Sequence, residues 1–87
     1  MRAHVVVRGR VQGVFFRDGV REQARALRVA GWARNRMDGT VEGVFEGPRA
    51  AVERLVEWCR TGPPRAHVDD VDVQWGKPEH LAGFQVR

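Results

Sequence analysis

Apolar and polar residues alternate along this chain with two different periods, and the switches between them mark out its elements. Ala3, Val5 and Val7 share one side of a run from Ala3 to Arg8, the two-residue period of a half-buried strand. Past Gly9 and Gly13 the period lengthens. Phe16, Val20, Ala24 and Leu27 recur at helical spacing, with Arg21, Glu22, Arg25 and Arg28 polar between them. This predicts a helix from Phe16 to near Val29, with Gly31 as its stop. Gly31 to Arg36 predicts a second strand, and Asp38-Gly39 a hairpin turn into a third, Thr40 to Glu46, in which Val41, Gly43 and Phe45 alternate with polar residues. Gly47-Pro48 opens a second helix, whose Val52, Leu55, Val56 and Cys59 form a single apolar stripe. Gly62-Pro63-Pro64 ends it. Ala66 to Trp75 predicts a fourth strand, and Phe84 to Arg87 a short edge strand with Phe84 and Val86 inward.

The resulting order, β-α-β-β-α-β plus a terminal strand, is the split βαβ pattern of an α+β fold. It implies an antiparallel sheet with two helices on one face. With 87 residues and no repeat or linker, the expectation is one domain spanning 1–87.

Composition narrows the classes of function more than it selects one. The profile, 43% hydrophobic and 30% charged, is that of a globular chain. No apolar run exceeds three residues, as at Val5 to Val7, so neither a membrane span nor a secretory leader is expected. A lone cysteine, Cys59, excludes an internal disulfide and fits a reducing cytoplasm. With three scattered histidines, it also argues against structural zinc. The net charge of +4 admits nucleic acid, anionic lipid or a small anionic substrate as partner. The arginines are dispersed, however, and a nucleic-acid module of this topology carries stacking aromatics on its two central strands. The first strand has none, and the third has only Phe45, on its core side.

The candidate chemistry lies in the turn between the first strand and the first helix, GRVQGVFFR from Gly9 to Arg17. Unpaired main-chain N–H groups of Gln12, Gly13, Val14, Phe15 and Phe16 at a helix N-terminus can converge on one anion. Arg17 adds a planar fork of donors that matches phosphate oxygens. Taken alone, the segment is better read as a plain turn beside a solvated arginine, since short motifs of this kind recur by chance.

VRGRVQGVFFR followed by GWARNRMDGTVEGVFEGP resembles the acylphosphatase family, and the likeness extends over nearly the whole chain to the FQVR ending. The resemblance implies a ferredoxin-like sandwich that hydrolyses acyl phosphates to a carboxylate and inorganic phosphate. It implies a phosphate-binding role for Arg17, a water-orienting role for Asn35 on the second strand, and a main-chain cradle from Gln12 to Phe16. A small acyl phosphate is then the expected partner of a monomeric, cytoplasmic enzyme that needs no cofactor and no metal. The chain departs from the family pattern at Val20, where many relatives carry threonine, and at Ala33, where valine is usual. Gly19, near the start of a helix, costs roughly 0.5–1 kcal/mol relative to alanine with no visible compensation.

Other polar features read as structural. His4, His67 and His80 share no site spacing, and Asp70 and Asp72 fall on one strand face, as solvated or edge-protecting residues do. Trp32 and Trp75 are expected in the core or at its edge, and Trp58 beside the second helix's stripe.

Overall fold

The computed structural model describes residues 1–87. The elements are β1 (Arg2–Arg10), α1 (Phe16–Leu27), β2 (Ala30–Asn35), β3 (Val41–Glu46), α2 (Arg49–Thr61), β4 (His67–Gly76) and β5 (Phe84–Val86). They form one five-stranded sheet in the order β4-β1-β3-β2-β5. The neighbours β4·β1, β1·β3 and β3·β2 are antiparallel. The expectation of a wholly antiparallel sheet needs one correction: β5 runs parallel to β2, with Gly31 opposite Phe84 and Ala33 opposite Val86. After β4 at one edge, residues 77–83 carry the chain to the opposite edge, so the long connection from β2 through β3, α2 and β4 serves as the crossover that a parallel pair needs.

The two-residue and helical periods converge on one core. Ala3, Val5 and Val7 of β1 and Val41 and Phe45 of β3 pack against Phe16, Val20 and Ala24 of α1 and against Val52, Leu55, Val56 and Cys59 of α2. Val20 is wholly inside this core, so an apolar side chain suits the position where the family pattern has threonine. Trp32 corrects the sequence reading. It occupies the sheet face turned away from the helices, with the Arg87 guanidinium 4.7 Å and that of Arg34 5.6 Å from its ring centroid. On the same face Glu42 accepts from His4 Nε2 and from Arg34 Nε, each at 2.6 Å. Asp70 and Asp72 are exposed, and Asp70 faces Arg8 Nη1 at 3.3 Å.

Helix α1 stops earlier than expected, and not at Gly31, which lies inside β2. Arg28 takes the left-handed conformation (φ 58°, ψ 40°), and the Val29 N–H then closes onto the Ala24 carbonyl at 2.8 Å. A carbonyl-satisfying cap of this geometry usually recruits glycine or asparagine, which is why the sequence pointed three residues too far.

The offset for Gly19 is visible in the helix pair. A Cβ on Gly19 would stand 2.5 Å from the Trp58 ring, which lies directly over the glycine. The same ring tilts against Phe16, with centroids 5.7 Å apart. Trp58 therefore packs across α1 through the gap that Gly19 leaves, and it holds the residue on which α1 begins. No helix is long and apolar enough to cross a membrane.

Candidate functional site

Strand β1 lies between β3 and β4; its pairing with β3 ends at Val7, and β4 alone holds Arg8 to Arg10 before the chain turns into the loop. Three side chains anchor the loop inward: Val11, Val14 and Phe16 are buried in the core. Gly13 and Phe15 have positive φ, 74° and 64°, and both line the cavity. At Gly13 the absence of a side chain makes this conformation easy. At Phe15 it is an uncommon conformation for a bulky residue.

Phe15 is also the N-cap of α1, and no side chain caps this helix end. Most helices place Ser, Thr, Asp or Asn there to satisfy the first N–H groups. Here the N–H groups of Gln12 to Phe15 donate to no other protein group. Those of the first turn have no intrahelical acceptor. The result is a row of main-chain donors at the positive end of a helix dipole, open to an anion.

The Gln12 side chain performs a task that the sequence reading did not assign. Its Nε2 donates to the Arg36 carbonyl at 2.7 Å and to the Thr40 carbonyl at 2.9 Å. These carbonyls belong to the β2–β3 hairpin, which closes through Arg36 N–H to Thr40 O at 2.8 Å. Asp38 Oδ1 accepts from the Thr40 hydroxyl at 2.6 Å and from its N–H at 3.0 Å. The Thr40 hydroxyl and N–H together hold the Asp38 carboxyl below its ordinary pKa. Gln12 thus fixes the loop to the hairpin that begins just after Asn35.

Arg17, in the first turn of α1, donates through Nη1 to the main-chain oxygen of Arg87 at 2.7 Å. Arg87 is itself placed by its N–H on the Ala33 carbonyl at 2.8 Å. Asn35, the last residue of β2, is exposed, and its carboxamide makes no hydrogen bond to another protein group. Although β3 separates β2 from β1, one cavity of about 240 Å³ is lined by Val11, Gly13, Phe15, Phe16, Arg17, Asp18 and Asn35. Four of the sequence candidates, Gly13, Phe15, Phe16 and Arg17, therefore meet a fifth, Asn35, in one hollow. Gln12 and Val14 lie outside it and shape the loop from behind.

Asp18 and the Arg87 oxygen were missed by sequence reasoning. Asp18 follows Arg17 directly and reads as an ordinary acidic residue of a helix's first turn. The Arg87 contact joins residues far apart in the chain, so no local pattern signals it. Cys59, in contrast, is fully buried, and burial pushes its thiol up to about 12, far from the thiolate a nucleophile requires.

A family model described as acylphosphatase matches residues 3–86. The chain belongs to the acylphosphatase family. An acylphosphatase of Pelotomaculum thermopropionicum is 66% identical over 86 residues, covering 98% of this chain and 94% of that one. One from Natronomonas pharaonis is 54% identical over 87 residues, covering 100% of this chain and 95% of its own length. The crystal structure of acylphosphatase from Bacillus subtilis superposes with a TM-score of 0.95 at 38% identity, over 99% of this chain and 97% of that one. The two-helix, five-stranded architecture is thus that of the acylphosphatases, and so is the activity: hydrolysis of acyl phosphates.

Proposed function

We propose that this acyl phosphate hydrolysis takes place in the cavity between the β1–α1 loop and Asn35. Arg17 and the main-chain N–H groups of Gln12 to Phe16 bind the phosphoryl oxygens there, and Asn35 orients the attacking water. The observation that carries this reading is that Gly13 and Phe15, whose amides are unpaired, line one hollow of about 240 Å³ together with Arg17 and the exposed Asn35.

The chemistry asks for little else. The water oxygen forms a bond to phosphorus as the bond from phosphorus to the acyl oxygen breaks. The carboxylate departs with that electron pair, and the water's proton passes to the phosphate product or to solvent. Because a carboxylate is a good leaving group, no strong general acid is required. Fixed positive charge and positioning supply the catalysis, as in phosphoryl transfer generally. Asn35 has an acceptor and a donor on one rigid amide, so it can hold a water in line while staying neutral. The tether from Gln12 to the hairpin supports this by keeping the loop in register with Asn35.

The substrate of this reading is a small acyl phosphate, and residues 1–87 act as a single monomeric unit. A lone buried thiol suits a cytoplasmic setting.

The test is phosphate release from acetyl phosphate and benzoyl phosphate by the wild type, Arg17→Ala and Asn35→Ala. Removing one preorganised donor or the water's anchor lowers kcat/KM by about 10²–10³. Full turnover by both variants would place the reaction elsewhere.

A further inference from the structure

The phosphoryl-binding reading uses the main chain of Phe15 and leaves its side chain unexplained. Phe15 is 69% exposed, the most exposed phenylalanine of the chain, and it belongs neither to the core nor to either aromatic pair. Its backbone is left-handed at φ 64°, ψ 28°, a conformation in which a bulky residue gains nothing for the fold. The Gly19 N–H donates to the Phe15 carbonyl at 3.0 Å, so the conformation is fixed by the first turn of α1. Glycine or asparagine would take this backbone geometry at less strain, and a polar side chain would suit the exposure. An aromatic ring held at this point, on the lining of a cavity that also contains Arg17 and Asn35, is explained by what enters the cavity.

We propose that the Phe15 ring is the contact surface for the acyl group of the substrate and biases this enzyme toward acyl phosphates with an apolar, above all aromatic, acyl portion. The inference rests on the placement of the phosphoryl group at Arg17 and the loop amides. With that group on the amides, its one substituent, the acyl group, has to extend along the cavity lining toward solvent. Phe15 is the large apolar side chain that the cavity leaves open to solvent, whereas Val11 and Phe16 are committed to the core. An aryl acyl group can lie flat or edge-on against the ring, which an acetyl group cannot match in area.

Asp18 narrows the class further. Its carboxylate lies on the same lining, 3.4 Å from Arg21 Nη2, and remains more than half exposed. A negative charge there opposes an acyl group that ends in a second carboxylate. The favoured substrate is therefore an acyl phosphate whose acyl portion is uncharged.

The experiment compares kcat/KM for benzoyl, acetyl and succinyl phosphate in the wild type, Phe15→Asn, Phe15→Leu and Asp18→Asn. Asparagine accepts the left-handed backbone without a ring, and leucine keeps the apolar surface without aromaticity. The readout is the ratio between substrates, so a loss common to all of them, through the loop's main chain, cancels. The benzoyl-to-acetyl ratio falls roughly three- to tenfold in Phe15→Asn and less in Phe15→Leu. The succinyl-to-acetyl ratio rises about two- to fivefold in Asp18→Asn, and the rise shrinks in high salt. Unchanged benzoyl-to-acetyl ratios in both Phe15 variants would overturn the proposal, and an unchanged succinyl ratio would remove its charge component. Failure of the underlying site assignment looks different: Arg17→Ala would then retain full turnover of acetyl phosphate.

Discussion

Arg17 Nη1 stands 2.7 Å from the main-chain oxygen of Arg87, so the cation at the start of α1 is held by the residue that follows β5, the strand at the far edge of the sheet. One arm of the guanidinium is occupied by this contact, and its other donors are left to face the cavity. In the proposed site, a flexible side chain is thereby set in one direction before substrate enters, which would remove part of the ordering cost of binding.

This geometry distinguishes a fork from a point charge. Arg17→Lys keeps the charge but cannot reach the Arg87 oxygen and the phosphoryl oxygens together. Its kcat/KM falls roughly tenfold to a hundredfold, with weaker inhibition by inorganic phosphate. Steady-state kinetics on benzoyl phosphate check this, and a fully active lysine variant would mean that charge alone suffices.

The loop-to-hairpin tether can be cut without touching a cavity-lining residue. Gln12→Ala removes both bonds to the Arg36 and Thr40 carbonyls, each of which keeps a main-chain donor in the hairpin. The expected loss of stability is therefore modest, about 1–2 kcal/mol in urea unfolding. Activity suffers more, by roughly tenfold, because Asn35 and the loop lose their common reference. Equal activity in Gln12→Ala would leave the tether a purely structural device.

Helix propensity favours alanine over glycine by about 1 kcal/mol, yet Gly19→Ala is expected to destabilise by roughly 1–3 kcal/mol. The added methyl meets the Trp58 ring, which is already pressed against Phe16. In a Trp58→Leu background the sign reverses, and Gly19→Ala becomes neutral or stabilising. Urea midpoints for the four proteins of this double-mutant cycle decide the matter.

Glu46 gives the fold an acid limit. Its buried carboxylate accepts from the Glu79 N–H at 2.6 Å and the Leu81 N–H at 2.8 Å, and Arg2 Nε lies 3.7 Å away. Burial alone would raise its pKa, but the two amides and the positive charges of Arg2 and His80 together outweigh it and hold it below the ordinary 4.5. A carboxyl whose folded pKa is depressed contributes stability in full above its unfolded pKa. The contribution is lost as pH falls through the folded value, so the melting temperature declines below about pH 4.5. Glu46→Gln lowers the melting temperature at pH 7 and flattens this acid slope; an unchanged slope would assign it to other groups.

Periodicity alone exposed most of the fold. The alternation of Ala3, Val5 and Val7 and the Val52–Leu55–Val56–Cys59 stripe carry directly into the core, because each side chain's inward direction follows from local backbone geometry. What was not legible depended on partners distant in sequence. Arg28 takes over the cap expected at Gly31, Trp32 faces away from the helices under two guanidinium groups, and β5 aligns parallel to β2. At the candidate site, Arg17, Asn35 and the loop were singled out through family resemblance, and Gly13, Phe15, Phe16, Arg17 and Asn35 line one cavity. The side-chain bonds of Gln12 and the Arg87 acceptor join residues distant in the chain, and nothing near them in sequence reports on them. Gly19 is the instructive case: a local penalty in the sequence becomes a seat for Trp58 once the second helix is in place.

The strand that carries the loop is paired on one side with β4, whose residues come some sixty positions later, since Val5 faces Val73 and Arg10 faces His67. Pairings of this span form late and slowly, because a long stretch of chain must be closed before they return any stabilisation. Until β4 arrives, β1 is an edge, and the last three residues before the loop have no strand partner. Catalytic competence should therefore appear in one step at the end of refolding rather than grow with helix content. That makes phosphate release a kinetic clock for completion of the sheet.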